Sequence, residues 1–196
     1  MFTALIAATA MLAMDDKPLT CAVMSGNPAK AGGPAVEWQG IKFTMCCGGC
    51  DTSFSKEPAK FLKTAAEKGT VVGVSLFDPV SGMRVNEPKI TSDYKGVRYA
   101  FTSAADKASF TKEPAKFAKM PEKVVMTCPV SGEAVASYGA AGGYVDYKGT
   151  RYFACCADCM ASMQKDIASL SKKVEGKAVA PMAMASKGDK SHGHGG

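Results

Sequence analysis

The chain of 196 residues is 46% hydrophobic and 21% charged, an ordinary globular balance, and its length suits one or two domains, or more if the units are small. No apolar run reaches the roughly 18 residues that a membrane span needs, and a net charge of +6, scattered along the chain, is too mild to argue for nucleic acid. Both histidines, His192 and His194, fall in the last five residues. The body of the chain therefore excludes Ser-His and Cys-His catalysis and a mixed Cys/His zinc site, and its chemistry rests on eight cysteines.

The first predicted element is a leader over residues 1–14. Phe2 to Met14 is an unbroken run of apolar and small residues, too short to span a bilayer but of signal h-region length, with Ala8-Thr9-Ala10 and Met11-Leu12-Ala13 offering small residues for cleavage. No Lys or Arg precedes Lys17, so the basic n-region is missing and a buried first helix is the alternative. The expectation is an exported protein, periplasmic or secreted, with a cytoplasmic one as the alternative.

Three similar stretches follow, at 18–69, 74–120 and 125–171. Each opens on a tight turn: Cys21-Ala22-Val23-Met24-Ser25-Gly26, then Asp78-Pro79-Val80-Ser81-Gly82, then Cys128-Pro129-Val130-Ser131-Gly132. Each continues with an aromatic-x-Gly-x-x-aromatic segment, from Trp38 to Phe43, Tyr94 to Tyr99 and Tyr147 to Tyr152, in which Gly turns the chain between two short strands. A helix comes next. In the first copy it breaks before Pro58, and a second piece starts there, buries Phe61 and Leu62 and stops at Gly69. Lys112-Glu113-Pro114-Ala115-Lys116-Phe117 repeats this break in the second copy, and in the third Met160, Met163, Ile167 and Leu170 keep helical spacing on one face. The fold class expected is α+β, a hairpin followed by a helix, three times over. Residues 172–196, rich in Ala, Lys, Gly and Ser without an aromatic, read as a disordered tail.

The cysteines divide four and four. Cys21 is followed after 24 residues by Cys46, Cys47 and Cys50, and Cys128 after 26 residues by Cys155, Cys156 and Cys159; the middle copy has none. A knuckle cysteine and a group at the strand-to-helix junction bring three or four sulfurs to one point, a donor set suited to zinc or Cu(I). Backbone N–H groups at the helix start are expected to favour the thiolates. Because adjacent residues tend to point apart, Cys21, Cys46 and Cys50 are the first ligands expected at one site and Cys128, Cys155 and Cys159 at the other. Cys47 and Cys156 either complete the sites or stand spare. Met45 and Met160, which flank the groups, are able to offer thioether sulfur to Cu(I) or simply to fill the core, and Met182 and Met184 are a weaker hint of the same kind.

This pattern resembles the TRASH/YHS superfamily of metal-handling domains, over about residues 20–68, 76–118 and 127–170. The middle copy carries the likeness furthest, in Asp78-Pro79-Val80-Ser81-Gly82-Met83, Tyr94-Lys95-Gly96-Val97-Arg98-Tyr99-Ala100-Phe101 and Phe110 with Lys112 to Phe117. The resemblance implies three tandem units of treble-clef or zinc-ribbon size, and binding, sensing or trafficking of heavy metals. The sequence departs from the pattern in one extra residue after Cys21 and in the doubled cysteines. In the middle copy Asp78, Thr102, Ser103 and Asp106 stand where Cys21, Cys46, Cys47 and Cys50 stand in the first. Its two aspartates suit a hard cation, or the copy is a degenerate spacer.

The resulting expectation is a non-enzymatic protein binding up to one zinc or copper ion in each cysteine-bearing copy, with a metal-donor or metal-acceptor protein as partner and no membrane span once the leader is removed. Cys47-Gly48-Gly49-Cys50 and Cys156-Ala157-Asp158-Cys159 are also Cys-x-x-Cys pairs, so an exported thiol-disulfide protein and a disulfide-stapled interaction protein are the alternatives.

Overall fold

In this computed structural model the structure describes residues 17–186. The apolar run Phe2–Met14 and the two histidines lie outside the described residues. Within them the protein is mixed α+β, with nine strands and five α-helices.

A hairpin followed by a helix occurs at three places. Strands β1 (Ala35–Trp38) and β2 (Ile41–Thr44) lead into helices α1 (Cys50–Lys56) and α2 (Pro58–Lys68). Strands β4 (Ile90–Tyr94) and β5 (Val97–Phe101) lead into α3 (Ala104–Lys112) and α4 (Pro114–Phe117). Strands β7 (Gly143–Tyr147) and β8 (Thr150–Ala154) lead into α5 (Ala157–Leu170). The three hairpins close through Gln39-Gly40, Lys95-Gly96 and Lys148-Gly149, with positive φ at both residues of every pair. This is the two-residue loop whose twist matches that of the strands, and the glycine takes its second position at no steric cost.

The helices break at one shared place. Glu57, Glu113 and Asp166 all leave helical geometry, at φ/ψ of −141/56, −136/58 and −149/60. Pro58 and Pro114 explain the first two, since a residue before proline is driven from the α region. No proline follows Asp166, and the helical spacing from Met160 to Leu170 gives no warning of the break. There the Asp166 carboxylate accepts from the Ser169 N–H and restarts the helix as a cap would.

Two strands that hydrophobic patterning does not announce join these parts. Strand β3 (Gly73–Ser75) lies antiparallel to β2 and parallel to β5, and so fuses the first two hairpins into one sheet. Strand β6 (Lys123–Val125) pairs parallel with β8 beside β7. Three-residue strands are too short to show a period. The tail is also partly structured, contrary to its composition. Ser171–Val174 form a 3₁₀ turn, Val179 bridges Val124, and β9 (Met184–Ala185) pairs with β1. Val174 is buried, Trp38 donates to the Pro181 carbonyl, and Tyr138 donates to the Met182 carbonyl. Hydrogen bonds to an already folded surface thus order a segment with little apolar content of its own.

One core, with Trp38, Phe43, Phe54, Tyr99, Phe101 and Phe110, runs through the first two hairpins; a second, with Phe77, Tyr138, Tyr144 and Phe153, joins the second stretch to the third. Arg151 pins the three together. It is buried, makes a fork to Asp146 at 2.8 Å, donates to the Gln39 carbonyl of the first hairpin turn and to the Lys119 carbonyl after α4, and lies 3.8 Å over the Tyr144 ring. Arg151→Ala, which strands both carbonyls and the aspartate, is expected to cost roughly 3 kcal/mol in urea unfolding, and Arg151→Lys to recover only part of it because an ammonium cannot make the fork.

Candidate metal centres

The knuckle and the strand-to-helix corner meet in each cysteine-bearing stretch. After β2 the chain leaves the sheet at Met45 and passes through bends at Cys46 and Cys47 to enter α1 at Cys50. The Cys21 knuckle folds over this corner, with the Cys21 N–H on the Asn27 carbonyl and the Asn27 N–H on the Met24 carbonyl. Cys128 sits likewise, its N–H on the Glu133 carbonyl and its own carbonyl accepting from Gly132. The result is two groups of three sulfurs, Cys21/Cys46/Cys50 and Cys128/Cys155/Cys159, with every Sγ within 4.8 Å of the others in its group. A tetrahedral ion with Zn–S bonds of about 2.3 Å sets its sulfurs about 3.8 Å apart, so the donors are near the spacing a metal requires. All eight cysteines are free thiols.

Cys47 and Cys156 do not point away, contrary to the expectation for neighbouring residues. Cys47 Sγ lies 3.7 Å from Cys46 and 3.3 Å from Cys50, and Cys156 Sγ lies 3.8 Å from Cys155 and 3.3 Å from Cys159. Strand alternation no longer applies where the chain is already turning into a helix. Both residues are exposed and approach their groups from the solvent side, whereas Cys21 and Cys128 are fully buried.

The polarity of the sites also departs from expectation. Burial opposes the Cys21 thiolate, but backbone N–H groups of Met24, Cys46 and Val23 outweigh it and hold this thiol below its ordinary value. Burial is outweighed in the same way at Cys128, by the backbone of Cys155 and Ser131 and by the Ser131 hydroxyl, and that thiol is lowered to about 6. Cys50 and Cys159, at the helix starts, are instead pushed up by burial and by the neighbouring cysteines. Only Cys156, the N-cap of α5, shows the helix-start effect, lowered by the Cys159 side chain and then by the Cys159 N–H. Each group thus favours one thiolate and resists more, because like charges this close repel until a cation neutralises them.

The middle stretch fills the same place with oxygen. Asp78 is fully buried, and its carboxylate accepts from the Val80 N–H at 2.8 Å, the Thr102 N–H at 2.8 Å and the Thr102 hydroxyl at 2.9 Å. Asp106 accepts from the Ser103 hydroxyl and shares the Thr102 hydroxyl proton with Asp78, and Ser103 in turn caps α3 by accepting from the Asp106 N–H. The carboxylates are committed to protein donors. Among the described residues the cysteine trios are the two groups of three or more His, Cys, Asp or Glu side chains close enough to hold an ion.

Searches against family models, curated proteins and solved structures found no match.

Two other methionine candidates serve as packing. Met160 is buried with Ala154 and Met163, and Met184 packs against the Phe77 core. A cavity of about 770 Å³ is lined by Trp38, Leu62, Tyr94, Tyr99 and Met120, and no cysteine borders it. No helix among the described residues is long and apolar enough to cross a membrane.

Asp78→Ala is expected to destabilise the protein by about 3 kcal/mol, since it removes the fully buried acceptor shared by the N–H groups of Val80, Ser81 and Thr102 and the Thr102 hydroxyl. Thermal unfolding of the metal-free protein measures this, and Asp78→Asn should lose less.

Proposed function

We propose that this protein binds soft transition-metal ions, zinc or copper, one at each cysteine trio, and serves to capture and pass them on rather than to catalyse a reaction. The observation that carries the reading is the recurrence of three mutually close sulfurs, two on the corner and one on the knuckle, in two stretches of different sequence. The middle stretch supports it from the other side. There the same hairpin and helix close around hydrogen-bonded oxygen, so a unit of this kind does not need sulfur to fold, and the eight cysteines serve another end.

On this reading the chain is three tandem treble-clef-like units of the YHS/TRASH type, the first and third metal-loaded and the second a spacer. Cys47 and Cys156, exposed beside the trios, give an incoming donor or acceptor protein a sulfur for stepwise ligand exchange. An exported location follows from the leader-like residues 1–14. A second reading, thiol-disulfide exchange, draws on the 3.3 Å separations of Cys47 from Cys50 and of Cys156 from Cys159.

Native mass spectrometry of the chain purified without chelator or reductant distinguishes the two. Two bound ions, each adding its mass less the thiol protons it displaces, and no disulfide are expected; a metal-free chain short by the protons of one or more disulfides would overturn the metal reading. Changing Cys46 and Cys50 together to Ser should leave one ion per chain, at the second trio. Cys47→Ser should keep both ions but slow transfer of the ion at the first trio to a competing chelator several-fold, leaving the second unchanged.

A further inference from the structure

The two trios differ in their neighbours. In the first, the residue just before the cysteine pair is Met45, fully buried, with its Sδ 3.9 Å from Cys21 Sγ. In the second, the corresponding residue is Ala154, also fully buried and without a donor atom. There the additional polar neighbour is the Ser131 hydroxyl, 3.4 Å from Cys155 Sγ.

Met45 is held in place at the end of β2. Its N–H donates to the Pro34 carbonyl and its carbonyl accepts from Lys30. Gly33 lies so close against that carbonyl, 2.6 Å from where a Cβ would stand, that no larger residue fits without a shift. The side chain joins the core that contains Cys21, Cys50 and Phe54. The thioether is therefore fixed beside the knuckle sulfur at about the separation of two sulfurs sharing one tetrahedral ion, and on the buried side, where the exposed Cys47 does not reach.

Thioether sulfur is a neutral, soft donor. It adds little to zinc, which prefers thiolate and imidazole, and it suits Cu(I). Resting on the metal-binding reading above, we infer that the first centre is a Cu(I) site in which Met45 Sδ joins the thiolates of Cys21, Cys46 and Cys50, whereas the second centre has thiolates alone. Binding displaces thiol protons to solvent, and the thioether has none to lose, so Met45 adds a ligand without adding charge. The protein thus carries two unequal centres, the first selective for copper over zinc.

Met45→Leu tests this, because the near-equal volume spares the core. The full chain is titrated anaerobically with Cu(I) against a chromophoric Cu(I) chelator, and separately with Zn(II) against a zinc dye. The expected result is a loss of about tenfold in Cu(I) affinity at one of the two centres, with both zinc affinities unchanged; tenfold corresponds to about 1.4 kcal/mol. Unchanged Cu(I) affinity, or an equal fall for zinc, would overturn the inference and leave the metal reading standing. Failure of the wild-type chain to take up either ion would overturn both. A direct measurement does not depend on affinity: in selenomethionine-labelled protein loaded with Cu(I), the selenium absorption spectrum should show a copper neighbour that disappears in Met45→Leu. Its absence from the labelled wild type would also overturn the assignment.

Discussion

Everything in this molecule turns on how an opening knuckle is fastened to the corner where a hairpin strand becomes a helix. At that corner the backbone changes direction within a few residues, and the knuckle has little apolar surface with which to hold it. Two chemistries meet the need. In the first and third stretches sulfurs crowd to within 4.8 Å of one another, a grouping that repels itself once more than one proton is lost. In the middle stretch the buried Asp78 carboxylate gathers backbone and hydroxyl donors and closes the corner without any ion. The oxygen version is complete in itself, whereas the sulfur version has the spacing to take a cation.

Much of this was legible in the sequence. The recurring turns closed by Gly40, Gly96 and Gly149 and the Glu-Pro breaks have local causes, so the hairpins and the two-piece helices of the first two stretches could be read residue by residue. The pairing of a knuckle cysteine with the first and last members of the Cys-Cys-x-x-Cys group also followed from spacing. Other features depend on contacts between distant segments and leave no local mark. Strands β3 and β6 are three residues each and form because a neighbouring strand edge is available to them. The break at Asp166 lacks the proline that announces the other two. The approach of Cys47 and Cys156 to their partners depends on where the chain starts to turn, which strand alternation misjudges.

The electrostatic pattern was the least legible. The thiols at the helix starts, Cys50 and Cys159, are raised, and the buried knuckle thiols Cys21 and Cys128 are lowered, because the converging N–H groups belong to the knuckle and to the corner rather than to the helix. This follows from three-dimensional convergence alone. It also gives each centre a direction: the buried knuckle thiol gives up its proton more readily, and the thiol at the helix start holds its own.

The short strand β9 has a bearing beyond its two residues. It covers part of the open edge of β1, while Glu37 in that strand holds the Gly139 N–H on one carboxylate oxygen and the Ser186 hydroxyl on the other. Without β9 the sheet would end on β1 after five strands and present free N–H and C=O groups to any passing chain, the usual starting point for edge-to-edge stacking. Met184 and Ala185 thus act as a selvedge, finishing the sheet so that molecules rich in thiols can be concentrated without being stitched together through their backbones.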